Sequence, residues 1–193
     1  MKWRAAVCGL LISAVGSANA DDALRDQVLR ALSTQPQRHF SFVQEKKLAV
    51  LANPLITEGE MLIAGEHDIT WDIRKPYVMR YEIHGEHVRE TDENGTRVIA
   101  IGGNPLASAL AEAMATAFSG HWRAQDSITD VHVEGSLQQW QIHITPRKDD
   151  FKKIIAGIDA EGSAALIHSV KILESNGDST LIRLQVLPSP VSP

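Results

Sequence analysis

Apolar residues recur at every second position along most of the chain, a period that predicts β-strands. Tyr77, Met79, Tyr81 and Ile83 share one face, while Arg80, Glu82 and His84 share the other. The same alternation predicts strands at 40–47, 61–64, 69–72, 77–84, 87–91, 97–101, 131–133, 139–144, 154–159, 166–173 and 180–187.

Turn residues separate these predicted strands. Glu93-Asn94-Gly95 has the composition of a tight hairpin turn, and Glu161-Gly162 and Asn176-Gly177-Asp178 are predicted as further turns. Short connections between neighbouring strands favour antiparallel pairing. The pattern therefore predicts an antiparallel meander.

Two segments have the period of a helix instead. Residues 21–32 form a short amphipathic pattern that Pro36 follows, and a longer pattern runs from Asn104-Pro105 to Gly120. One large antiparallel sheet with two main helices is an α+β domain, and such a sheet must curl or close. Helices laid across its apolar face would create either a solid core or a pocket, and the pattern leaves both open.

The first twenty residues are predicted to be a secretory signal peptide. Lys2 and Arg4 precede an apolar stretch, and Ala18-Asn19-Ala20 has the small residues of a cleavage site. Cleavage after Ala20 would leave a single domain at 21–187 and a disordered tail at 188–193. It would also remove Cys8, the chain's single cysteine, which favours a periplasmic protein without disulfides or thiol chemistry.

Net charge and the absence of known motifs argue against several classes of function. A net charge of −5 without a run of basic residues argues against a nucleic-acid partner. No Gly-x-Ser-x-Gly motif is present, and His84-Gly85-Glu86-His87 has the character of a hairpin corner rather than a metal motif. We therefore expect no catalytic residue, no metal site and no cofactor, and a protein that is not an enzyme.

The apolar faces themselves are the candidate binding site. A sheet that is large for the length of the chain, beside two helices with few charges, suits a hydrophobic ligand. The predicted lining residues are Phe40, Phe42, Met61, Ile63, Ile69, Trp71, Met79, Tyr81, Ile83, Leu110, Met114, Phe118, Trp140 and Ile142.

The order of several short segments resembles the periplasmic outer-membrane lipoprotein carriers, the LolA family, over nearly all of the chain after the leader. The matching segments are Phe40-Ser-Phe-Val-Gln44, Gly59-Glu-Met-Leu-Ile63, Ile69-Thr-Trp71, Pro76, Ile83-His-Gly-Glu-His87, the Pro105 helix, Trp140-Gln-Ile-His-Ile-Thr-Pro146 and Asp159-Ala-Glu-Gly162. The resemblance implies a strongly curved, incompletely closed antiparallel barrel with helices covering a hydrophobic cavity for acyl chains. It places Phe40 and Phe42, and Ile69 and Trp71, on the inner face.

The resemblance also implies a function and partners. A monomeric carrier of this family would take the acyl chains of lipoproteins or lipids from an inner-membrane release transporter and pass them to an outer-membrane acceptor. Members of the family have an arginine just ahead of the third strand that latches the barrel to the lid helices. The corresponding segment here, Ala64-Gly-Glu-His-Asp68, contains no arginine. The segment 42–55 is similar to a divergent branch of the family associated with polyene or fatty-acid-derived lipids. The cargo is then a lipoprotein or a free lipid, and a regulatory or sensory binding module on the same fold is the alternative.

Overall fold

A single β-sheet with two helices makes up the part of the chain that the computed structural model describes, residues 17–34, 37–64, 68–84, 87–100 and 129–188. The helices are α1 (Ser17–Ser33) and α2 (Asp149–Lys152). The strands are β1 (Gln37–Lys47), β2 (Leu55–Ala64), β3 (Asp68–Lys75), β4 (Met79–His84), β5 (His87–Asp92), β6 (Gly95–Ala100), β7 (Thr129–Ser136), β8 (Gln139–Pro146), β9 (Ile155–Ser163), β10 (Leu166–Glu174) and β11 (Ser179–Leu187).

The eleven strands follow the order β6-β5-β4-β3-β2-β1-β11-β10-β9-β8-β7, and each neighbouring pair is antiparallel. β6 and β7 lie at the two ends of this order and do not pair with each other, so the curved sheet is unclosed. The predicted α+β class and antiparallel sheet are confirmed. The helix predicted from Pro105 lies outside the described residues, and its position over a cavity stays a prediction.

One pairing joins the two halves of the sheet. Most neighbouring strands are consecutive in sequence, but β1 pairs with β11 near the far end of the chain. Phe42 lies opposite Leu184 in this pair, and both side chains are buried. The pairing therefore makes one continuous inner face from two separate meanders.

The core lies on this inner face, where α1 packs near β7. Val28, Leu29 and Leu32 have helical spacing and are buried. α1 begins before the predicted cleavage site after Ala20, and that cleavage stays a prediction. Within the described ranges, no helix has the length and apolar character needed to span a membrane.

Tyr77 departs from its predicted place in a strand. It lies in the connection between β3 and β4 and is 49% exposed, and β4 begins only at Met79. Pro76, which precedes it, has no backbone N–H to donate to a neighbouring strand. The inner face of β4 therefore consists of Met79, Tyr81 and Ile83 alone.

Glu161-Gly162 is not the predicted turn, because β9 continues to Ser163 and the chain turns at 164–165. Gly162 lies under the indole of Trp140, whose Nε1 donates a hydrogen bond of 3.1 Å to the carbonyl oxygen of Ala164. A Cβ at residue 162 would overlap the Trp140 ring and the Leu166 carbonyl oxygen. Glycine is needed here for close packing in a strand.

This packing predicts that Gly162→Ala destabilises the protein by about 1–3 kcal/mol, because the added methyl group overpacks the site against backbone. Gly157→Ala in the same strand is the matched control, since a Cβ there would lie 3.6 Å from the nearest atom, the Ile144 carbonyl oxygen. Its free energy of unfolding should change by less than about 0.5 kcal/mol. Urea denaturation followed by circular dichroism measures both, and equal effects would contradict the assigned role of Gly162.

Candidate functional site

The predicted lining residues lie together on the inner face. Phe40, Phe42, Met61, Ile63, Ile69, Trp71, Trp140 and Ile142 are buried in one hydrophobic cluster. Met79, Tyr81 and Ile83 are partly buried and pack against it. The remaining three, Leu110, Met114 and Phe118, lie outside the described residues. Burial is common to a core and to a closed pocket, so the lining of a ligand cavity stays a prediction.

Strand register arranges these side chains in rows across the sheet. Phe40 lies opposite Met61, Met61 opposite Trp71, and Trp71 opposite Tyr81. Directly opposed residues in antiparallel strands place their side chains on the same face. The row is therefore a continuous apolar surface across β1 to β4, and Ile63, Ile69 and Ile83 form a parallel row beside it.

Trp71 is positioned by an aromatic neighbour and by a glycine. Its ring lies 4.9 Å from that of Phe42, centroid to centroid, at an interplanar angle of 65°. This edge-to-face arrangement is favourable for aromatic pairs. Gly59 lies between Phe42 and Ile73 in the register, and a Cβ there would overlap the Asp72 carbonyl oxygen and lie 3.0 Å from the Phe42 ring. Gly59 thus leaves the space that this aromatic pair occupies.

Trp140 is held differently from Trp71. It is 1% exposed, lies over Gly162 and has its indole N–H engaged by a backbone carbonyl. Trp71 is 8% exposed, and Tyr81, its neighbour in β4, is only partly buried. The inner face is therefore closed around β8 and more accessible at β4, whose inward residues are only partly buried.

An ion pair that was not predicted from the sequence continues the row beyond Tyr81. Glu90 in β5 lies directly opposite Tyr81 and directly opposite Arg97 in β6. The Glu90 carboxylate accepts a hydrogen bond from the Arg97 guanidinium and is 5% exposed as a residue. The sequence did contain a signal for this placement. If the chain turns tightly at Gly85, pairing outward from the turn puts Glu90 directly opposite Tyr81, and therefore on the same face of the sheet.

A pocket of about 180 Å³ lies beside this ion pair, at the turn between β5 and β6. Its lining residues are Glu90, Asp92, Asn94, Gly95, Thr96 and Arg97. Oδ1 of Asp92 accepts a hydrogen bond of 2.8 Å from the Asn94 backbone N–H, which fixes the shape of the turn. The apolar row thus ends at a polar pocket.

Tyr81 connects the apolar and polar parts. Burial raises the pKa of its phenol, and the nearby Glu90 carboxylate raises that pKa further. At neutral pH the hydroxyl therefore keeps its proton and can donate a hydrogen bond.

The outer face of the same strands is polar and ion-paired. Arg80 donates two hydrogen bonds to Asp72, of 2.6 and 2.7 Å, which raises the pKa of the guanidinium. Glu82 pairs with Arg89 at 3.4 Å. Charged residues there support a solvated surface and contribute little to stability.

The predicted hairpin corner at His84-Gly85-Glu86-His87 is partly described. His84 lies opposite His87, and its Nδ1 is 2.8 Å from Oδ1 of Asp68. Across the ranges that the structure covers, no group of three or more histidine, cysteine or acidic side chains is placed to hold a metal ion.

Comparison with known proteins gives one match along most of the chain. A family described as "Outer membrane lipoprotein carrier protein LolA-like" matches residues 15–185. No curated protein matches the sequence.

Solved structures similar to this one share little sequence with it. A LolA superfamily protein from Nitrosomonas europaea is 6% identical with a TM-score of 0.49, covering 86% of this chain and 91% of its own. A DUF1329 family protein from Desulfovibrio piger is 11% identical with a TM-score of 0.49, covering 89% and 94%. Lipoprotein LppX from Mycobacterium tuberculosis is 11% identical with a TM-score of 0.47, covering 91% and 99%.

The partly buried position of Tyr81 beside Glu90 predicts a titration that can be measured. Tyr77 and Tyr81 are the two tyrosines of the chain, so in Tyr77→Phe the absorbance of tyrosinate reports Tyr81 alone. Its midpoint should lie above the usual value of 10.0 in the folded protein and return to it in denaturant. Since the folded pKa is the higher one, stability should fall as the pH rises through 10.0 and beyond. An unshifted midpoint in the folded variant would contradict the described environment.

Proposed function

The chain belongs to the outer membrane lipoprotein carrier protein LolA-like family, and from this premise we propose that its curved sheet binds acyl chains of lipoproteins or lipids. The observation that carries the proposal is the continuous apolar row formed by Phe40, Met61, Trp71 and Tyr81. An acyl chain lying along this row would lose contact with water over most of its length, which is the main source of affinity for such ligands.

The proposed role is transfer between membranes in the periplasm. The protein would be exported by the predicted signal peptide, act as a monomer, receive its cargo from an inner-membrane release transporter and deliver it to an outer-membrane acceptor. Transfer needs a surface that can adapt to chains and release them. Met61 and Met79 suit this role because unbranched thioether side chains repack easily.

No bond is made or broken in this function, so it needs no catalytic residue, metal or cofactor. The side chains of the site would act only by burying the chain and by fixing the polar end of the ligand. Mass spectrometry of the molecules that co-purify with the protein from its own periplasm would distinguish lipoprotein cargo from free lipid. Recovery of neither would count against the carrier role.

The alternative is a regulatory or sensory binding module on the same fold, and one surface feature favours it. The connections β1–β2 and β3–β4 lie at the same end of the sheet, because alternate antiparallel strands turn at the same edge. Val50 and Val78 in these connections are 89% and 73% exposed, and Leu51, Leu55, Ile56 and Tyr77 are exposed as well. Exposed apolar clusters commonly mark interaction surfaces.

Crosslinking in intact cells separates the two functions. A carrier should be trapped with lipid or lipoprotein through probes on the inner face, such as a photoreactive residue at Met79. A regulator should be trapped with one stoichiometric protein through probes at Val50 or Val78. Capture of one protein, without lipid at the inner face, would replace the proposed function with the alternative.

Two tryptophan variants test the binding face directly. Trp140→Ala should cost about 3–5 kcal/mol of stability, because it empties a closed part of the core. Trp71→Ala should cost clearly less stability but weaken the binding of a fluorescent fatty acid at least about tenfold, since its ring contributes a large apolar contact. The measurements are urea denaturation and a titration of delipidated, refolded protein.

Severe unfolding of Trp71→Ala, with unchanged affinity in the protein that remains folded, would place Trp71 in a solid core. A family carrier that binds the same probe serves as the positive control. If that carrier binds the fatty acid and the wild-type chain does not, the acyl-binding proposal itself is wrong.

A further inference from the structure

The inner face contains a charged pair at a position where the rest of the row is apolar. Met61, Trp71 and Tyr81 are followed in the register by Glu90 and then by Arg97. A carboxylate with 5% exposure is costly to bury unless its oxygens are satisfied. Pairing with Arg97 makes this burial tolerable, and the pair gives the apolar row a polar end.

The ion pair satisfies Glu90 only in part. Arg97 donates from Nη2 to Oε1 of Glu90, and Oε2, which has no hydrogen-bond donor among the described residues, is not one of the buried unsatisfied atoms and so keeps contact with solvent. The Arg97 side chain is itself 69% exposed, so it reaches from the carboxylate toward solvent. A carboxylate oxygen and a guanidinium are thus both available at the end of the apolar row.

The pocket next to the pair has the size and charge of a receptor for a small polar group. Its volume of about 180 Å³ has room for several water molecules or a compact headgroup. Two carboxylates, Glu90 and Asp92, face one guanidinium, Arg97, among its lining residues. The surplus of negative charge favours a ligand group that is positively charged and donates hydrogen bonds.

We propose that this pocket binds the polar head of the acyl ligand, and that the head carries an ammonium group, which Glu90 and Asp92 hold, beside a phosphate that Arg97 contacts. The inference rests on the proposed acyl-binding function, since the chain of the same ligand would run along Tyr81, Trp71 and Met61. It assigns the ligand class as zwitterionic amphiphiles of the phosphoethanolamine type. Amphiphiles whose phosphate carries an uncharged alcohol are the disfavoured class.

The outer face of the adjoining β4–β5 hairpin offers a matched control. Glu82 and Arg89 are also directly opposed carboxylate and guanidinium residues, in β4 and β5, and they pair at 3.4 Å. Because Glu82 is adjacent to Tyr81 in the strand, its side chain points to the opposite face. Glu82→Gln therefore removes the same charge from the neighbouring hairpin without reaching the proposed pocket.

The experiment compares two lysolipids with the same palmitoyl chain, lysophosphatidylethanolamine and lysophosphatidylglycerol, below their micelle concentrations. Delipidated wild-type protein should bind the ethanolamine form about tenfold more tightly, the effect of one charge-assisted hydrogen bond. Glu90→Gln should reduce that ratio to less than about threefold, and Glu82→Gln should retain it. Isothermal titration calorimetry measures each affinity, and circular dichroism checks that each variant is folded.

Two further arms keep the result interpretable. If Glu90→Gln does not fold, Asp92→Asn replaces it, because Asp92 is partly exposed and its loss leaves the Glu90–Arg97 pair in place. Phosphoethanolamine without a chain should show no saturable binding at millimolar concentration. Equal affinity for this free headgroup would make the pocket a site for small amines and would overturn the assignment to an acyl ligand.

The outcomes separate this inference from the function on which it rests. Wild-type protein that binds palmitate and both lysolipids, without preference between the lysolipids, overturns the headgroup site and leaves acyl binding standing. A preference that survives in folded Glu90→Gln, or in Asp92→Asn where that variant replaces it, overturns it as well. Failure to bind palmitate or either lysolipid contradicts the proposed function itself.

Discussion

The pairing of β1 with β11 is the interaction on which the rest of the structure depends. Other strand pairs are formed by neighbours in sequence, so each half of the sheet is a local meander with an apolar face of its own. Only when Phe42 lies opposite Leu184 do these two faces become one surface. Such a contact between distant segments carries a larger entropy cost of chain closure than a hairpin does, and it must be stabilised by the apolar area that it allows the two halves to bury together.

The inner surface is not packed equally tightly along its width. Around β8 the surface is closed, because Gly162 lets the Trp140 ring lie against the backbone and Ala164 accepts its indole N–H. Around β3 the aromatic pair of Phe42 and Trp71 is buried over the space left by Gly59, and at β4 the packing is less complete, because Tyr81 is only partly buried. The face is thus fully buried from β1 to β3 and at β8, and it becomes partly exposed at β4, where Met79, Tyr81 and Ile83 lie.

Much of this arrangement could be predicted from the sequence, for a definite physical reason. The two-residue period assigns every side chain of a strand to one face, so Phe40, Met61 and Trp71 were predicted to share a surface without knowledge of their register. The turns predicted at Asn94-Gly95 and Asn176-Gly177 are confirmed, and the turn predicted at Gly162 is wrong. The sequence around a glycine that is needed for close packing looks the same as the sequence around a glycine that is needed for a turn. Glu90 was missed because a charged residue in an exposed-looking hairpin gives no sign of burial until the strands are paired.

The same register gives the apolar surface a direction. A surface of apolar side chains alone would hold acyl chains in any orientation and at any depth, since the hydrophobic effect depends on area and not on geometry. Hydrogen bonds and charges do depend on geometry, and here they lie at one end of the row, at Glu90 and Arg97 beyond Tyr81. In the proposed function, the apolar row would supply affinity and its polar end would supply orientation, as separate contributions to recognition. Both contributions would then come from one face of a single sheet, because the strand register places Glu90 and Arg97 in line with Tyr81, Trp71 and Met61.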